Sequence, residues 1–216
     1  VYVKKGIKLD KLVQILFVNT NHEESRMMQT RNLFVLEDFA EAQIFERHQA
    51  FNQGHVFSNS VTESSVGNQA HFKHFKLQND LDSSSMVDST FVKQGANSSA
   101  LVDTFAFSGE LVRNNLHFEF TGMHAEAHMD AITLLKGKSL VDHHTFVDHA
   151  VPHCQSNQLY KGIYDEKSKG VFNGKVMVRK DAQKTNAFQQ NNNLLLSDFS
   201  SIDTKPQLEI FADDVA

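Results

Sequence analysis

The sequence predicts an all-β chain wound as a parallel β-helix, a solenoid of short strands stacked along one axis. Three observations carry that expectation. Helical periodicity is nearly absent, since no window longer than about ten residues keeps apolar side chains at i, i+3, i+4 and i+7 between recognisable caps. Alternation of apolar and polar residues, the mark of a half-buried strand, fills the chain instead. Val56, His71, Met86, Leu101 and Leu116 each stand near the start of an apolar run at a constant step of 15 residues, the signature of stacked units with divergent sequence.

Taken in order, "VYVKKGIKLDKLVQILFV" already reads as strands. The breaks that follow, "NQG", "VGNQA", "QGANSS", "KGK", "EKSKG" and "NNN", are made of residues that tolerate the positive φ of tight turns. In "NLHFEFTG", Leu116, Phe118 and Phe120 fall on one face and His117, Glu119 and Thr121 on the other. The stretch 139–149 divides the same way, with Leu140, Asp142, His144, Phe146 and Asp148 opposite Val141, His143, Thr145, Val147 and His149. Pro152 then ends the strand, which puts His153 and Cys154 in a corner. "QLEIFADD" closes the chain with Leu208, Ile210 and Ala212 inward.

An antiparallel sandwich is the competing architecture, and it predicts two-residue Asn-Gly or Asp-Gly hairpins between alternating runs. Asn173-Gly174 lies inside the run "GVFNGKVMV" and not between two runs. Eighteen Phe with no Trp suits a narrow core of repeated layers in which rings of successive coils stack.

At 216 residues the chain is expected to form one domain over 1–216, the β-helix core of a longer protein. The 21 basic and 26 acidic residues give a net charge of -5 with no Lys/Arg block, which disfavours nucleic acid and anionic membranes as partners. One cysteine in a chain of this size points to a reducing compartment, the cytoplasm. Apolar runs such as 12–18 are too short to span a bilayer.

Two clusters invite a metal reading. In "MHAEAHMD", strand geometry would set His124, Glu126 and His128 on one face, against the plainer reading of a polar outer surface. His149, His153 and Cys154 form a second candidate ligand set around the corner at Pro152. A catalytic role for Cys154 needs a positioned base and an oxyanion stabiliser, and the sequence specifies neither. Asp213 and Asp214 are a poor acid/base pair, because adjacent residues of a strand face opposite ways. The chain has no Gly-rich phosphate loop, serine elbow or CxxC pair.

The stretch 140–215, with "VFNGKVMV", "KTNAFQQNNNLLLS" and "DTKPQLEIFADDV", resembles the SufD side of the SufB/SufD family of iron–sulfur cluster assembly scaffolds. "TRNLFV", "NSVTE", "QND", "FVKQG" and "LVRNNL" extend the likeness upstream over nearly the whole length. The resemblance implies a right-handed parallel β-helix and a non-catalytic scaffold subunit of a SufBCD complex. It also implies pairing with SufB through the C-terminal coils, action with the ATPase SufC, and an iron–sulfur cluster held only transiently and jointly. SufB-type sequences carry a cysteine a few residues before a T-x-P stretch; Ser200 stands there, ahead of Thr204-Lys205-Pro206. The family's SufD branch continues after "ADDV" into a Cys-x-His-Gly stretch and a helical segment that docks SufC. With Ala216 as the last residue, no functional residue is carried over and terminal helical segments are expected to be missing. Strand edges left open over 171–215 are expected to self-associate as a homodimer when no SufB is present. A β-helix carbohydrate-active enzyme is the alternative from architecture, and a His-bound, metal-dependent cupin-like enzyme the third reading; the absence of Trp speaks against the first.

Overall fold

A computed structural model describes residues 1–19, 25–50, 55–79 and 83–215. Among the described residues there are fifteen strands and no helix. They are β1 (Tyr2–Val3), β2 (Val13–Asn19), β3 (Arg26–Leu36), β4 (Glu41–Ala50), β5 (Val56–Val66), β6 (His71–Gln78), β7 (Ser85–Gln94) and β8 (Ser99–Ala106). Then follow β9 (Leu111–Phe120), β10 (Glu126–Leu135), β11 (Leu140–His149), β12 (Gln155–Tyr164), β13 (Lys169–Val178), β14 (Asn186–Leu195) and β15 (Ser201–Ile210).

Odd strands form an eight-stranded sheet and even strands a seven-stranded sheet, each in strict order along one axis. Each strand from β1 to β13 pairs in parallel with the strand two places on, as in Ser85↔Leu111 and Leu140↔Lys169. This is a parallel β-solenoid of about seven coils, two strands to a coil. One coil takes from 26 residues (Ser85↔Leu111) to 33 (Tyr2↔Val35), so the step of 15 seen in the sequence is half a coil. Val56, Met86 and Leu116 accordingly point into the core from the odd sheet, while His71 and Leu101 lie on the outer side of the even one.

Strand residues alternate between core and exterior with little exception, as in β8 and β13. Leu116, Phe118 and Phe120 are inward, and so are Val141, His143, Thr145, Val147 and His149. Tyr164 needs the space left by two glycines. A Cβ on Gly162 or Gly170 would run into its ring, so these positions accept no side chain without displacing it.

The core is not a column of phenylalanines. Phe34, Phe72, Phe118, Phe120 and Phe172 are fully buried, but Phe91, Phe188, Phe199 and Phe211 lie outside. Between the buried rings runs a chain of polar groups. Glu46 accepts from His48 Nε2 at 3.0 Å and from His74 Nε2 at 3.1 Å; Lys76 pairs with Asp88 and donates to Thr90 Oγ1 at 2.8 Å. Burial opposes ionisation of Glu46, yet Lys76, His48 and His74 together hold its carboxyl well below the usual carboxylate range.

Corners from odd to even strands share one device. Gly6, Phe39, Gln69, Asn97, His124, His153 and Lys184 all have φ between 54° and 72°. Most donate their N–H to the corner of the next coil: Phe39 to Asn68 O at 2.9 Å, Gln69 to Ala96 O at 2.8 Å and His153 to Gln183 O at 2.9 Å. Left-handed backbone thus turns the chain while its polar groups stay paired along the axis.

Most of the predicted breaks are corners, but "NNN" is not: Asn191, Asn192 and Asn193 lie inside β14. Among the described residues nothing packs over the inner row of this strand, so amides at inward positions are only half-buried, and the ladder to β12 supplies the backbone bonds. The predicted break "NQG" at 52–54 falls outside the described residues.

Candidate functional site

His149, His153 and Cys154 each have separate partners. His149 ends β11 pointing inward; its Nε2 lies 2.9 Å from Ser156 Oγ and its ring packs 4.7 Å from that of Phe120. Burial pushes the ring's pKa down to about 4, so it is neutral at physiological pH. His153 is the left-handed corner residue, stacked on His124 of the preceding coil with centroids 4.8 Å apart and planes at 20°. Cys154 is fully buried, its Sγ 3.4 Å from Gly122 O and 3.6 Å from Pro152 O, and burial raises its pKa. The positions that follow Phe39, Gln69, Asn97, His124 and Lys184, which are Ala40, Ala70, Ser98, Ala125 and Thr185, are equally small and buried.

His124, expected in phase with Glu126 and His128, belongs to a corner because its φ is +59°; of the three, only Glu126 and His128 lie on the outer face of β10. Among the described residues no three His, Cys, Asp or Glu side chains are grouped so as to hold a metal ion.

The outer face of the even sheet holds a pair that no sequence pattern signals. Asp103 and Asp130, 27 positions apart, are register partners on β8 and β10. Half-burial, and then the neighbouring Asp130 carboxylate, push Asp103 up to about 6; burial also raises Asp130.

The larger feature is the C-terminal end. In register with β13, the inward residues of β15 are Ile202, Thr204, Pro206, Leu208 and Ile210. Among the described residues none packs over them, and Leu208 is 59% and Ile210 42% exposed, although both occupy core positions. Phe199 at 76% and Phe211 at 62%, with Leu194, Leu195 and Leu196, widen the apolar rim. Gln189, Asn191 and Asn193 form the inward row of β14. The backbone is open as well. Ser201 N donates to Ser168 O and Phe211 N to Val178 O, so alternation along the ladder turns the even-numbered groups of β15 towards the free edge. An apolar, unpaired edge of this kind is a template for another strand.

Ser200 precedes β15 as a buried corner residue and donates its hydroxyl to Ser197 O at 2.8 Å. Ser168 holds the same place one coil earlier and donates to Asp165 O at 2.8 Å.

The profile described as "SUF system FeS cluster assembly, SufBD core domain" matches residues 17–216. The chain belongs to the SufBD core family. Similar members are an iron–sulfur cluster assembly SufBD family protein of Synechocystis, 33% identical over 100% of this chain and 49% of its own length, and SufD of Escherichia coli, 30% identical over 99% and 51%. A third, the chloroplastic protein ABCI7 of Arabidopsis thaliana, is 32% identical over 100% of this chain and 47% of its own. The chain spans about half the length of these curated relatives. For this SufBD core the family match and the solenoid agree. Among the described residues no helix is long and apolar enough to cross a membrane.

Proposed function

We propose that this SufBD core acts as the SufD-type, non-catalytic scaffold subunit of an iron–sulfur cluster assembly complex. In this reading it pairs with a SufB homologue through β14 and β15 and works with the ATPase SufC. Iron and sulfide are cargo, held transiently and jointly at the junction rather than as a resident cofactor. The cytoplasm is the proposed compartment. Without the SufB partner, the same coils self-associate.

One observation carries the proposal: among the described residues Leu208 and Ile210, core residues by register, are uncovered, and β15 pairs only with β13. Strand addition supplies both missing parts, backbone partners and an apolar cover. Ser200 at the position of the SufB cysteine supports the SufD assignment over SufB.

Co-purification of the full-length protein with the SufB and SufC homologues of the same source tests this. A stable complex is expected, and Leu208→Glu should weaken pairing by at least about 2 kcal/mol, as for a central interface residue. No complex at micromolar concentrations would sink the assignment.

A further inference from the structure

Pro206 stands near the middle of β15, the edge strand of the odd sheet. Ser201 and Phe211 donate inward to the preceding coil, so position 206, of opposite parity, is one whose N–H would face the free edge. Proline therefore removes no bond between β13 and β15. It removes a donor only from the row offered to an incoming strand, in which Ile202, Thr204, Leu208 and Ile210 still carry theirs.

From this we infer that Pro206 biases the C-terminal edge against a second copy of this chain and towards a different chain bearing a solenoid edge. The reason is symmetry. Two copies of β15 pairing about a two-fold axis run antiparallel, and every contact occurs twice. With full overlap, Pro206 meets either itself or Thr204 of the other copy. In both arrangements two rungs are lost and two carbonyls at the centre of the junction go unpaired. A different partner strand without a proline at the matching place loses one rung only. If Pro206 weakens pairing with an unlike strand by some factor, it weakens self-pairing by about the square of that factor. The inference rests on the proposed pairing through β14 and β15, and it adds what selects the partner there.

The test compares wild type, Pro206→Ala and Thr204→Pro in the full-length protein, with self-association measured by sedimentation and binding to the SufB homologue by titration. Pro206→Ala should tighten self-association roughly tenfold to a hundredfold, and tighten SufB binding by about the square root of that gain. Thr204→Pro deletes a second outward donor while leaving the ladder to β13 intact, and should loosen self-association below wild type. Unchanged self-association of Pro206→Ala, including a species that stays monomeric, overturns the inference, and so does an equal gain for self-pairing and SufB. Should SufB fail to bind any variant, the proposed function falls, while the self-association of the two variants still decides the role of Pro206.

Discussion

Cys154 sits directly after a left-handed corner residue, in the column that Ala40, Ala70, Ala125 and Thr185 fill in other coils. Its environment selects for small volume and raises the thiol's pKa, which suppresses thiolate chemistry. Cys154→Ala should therefore change stability by less than about 1.5 kcal/mol. Iodoacetamide at pH 8 should label the folded chain far more slowly than the urea-unfolded one; equal rates would refute this account. The buried histidines carry a pH signal. Burial lowers His143 and His149 to about 4, against 6.5 for the free side chain. As pH falls below about 6.5 the unfolded chain takes up protons that the folded chain refuses, so stability is full above that pH and is lost towards pH 4. Each ring accounts for a loss on the order of 3 kcal/mol across that window. His143 Nε2 lies 3.0 Å from Thr133 Oγ1. Urea midpoints at pH 7.5 and 5.0 should differ less in His143→Gln than in wild type; an undiminished difference would remove His143 from the account.

At the scale of the element, alternation along a strand was legible and position within the coil was not. The two faces of β11 could be assigned from period two alone, because a one-residue shift would bury Asp142 and expose Val141. The Asn run inside β14 has the composition of a turn because composition reports local preference, whereas β12 imposes a strand through its ladder. His124 shows the opposite case, since nothing in "MHAEAHMD" announces the left-handed backbone of the corner. Gly162 and Gly170 belong to the same class of hidden constraint, lying on adjacent strands in sequence but meeting over one ring, that of Tyr164. Gly170→Ala should cost about 1–3 kcal/mol through overpacking, measured as a lower urea midpoint at unchanged slope.

For the whole molecule, each coil touches only the next, so protection is expected to fall towards the ends of the stack. Hydrogen exchange should be slowest over β7 to β11 and fast over β14 and β15, and a SufB homologue should slow exchange selectively in those last two strands. Uniform protection along the chain, or slowing elsewhere on binding, would contradict both the solenoid energetics and the proposed junction. By itself the sequence determined the strand content, the inward and outward faces, the repeat and the family, because these rest on local periodicity and on motifs that survive divergence. Only the tertiary structure decided that 15 residues make half a coil and that Asp103 meets Asp130. It also decided that Cys154 packs in a small buried corner and that the missing donor of Pro206 faces away from β13. Each of those depends on the register between strands about thirty residues apart, which is set by packing the whole stack and by no single stretch of chain.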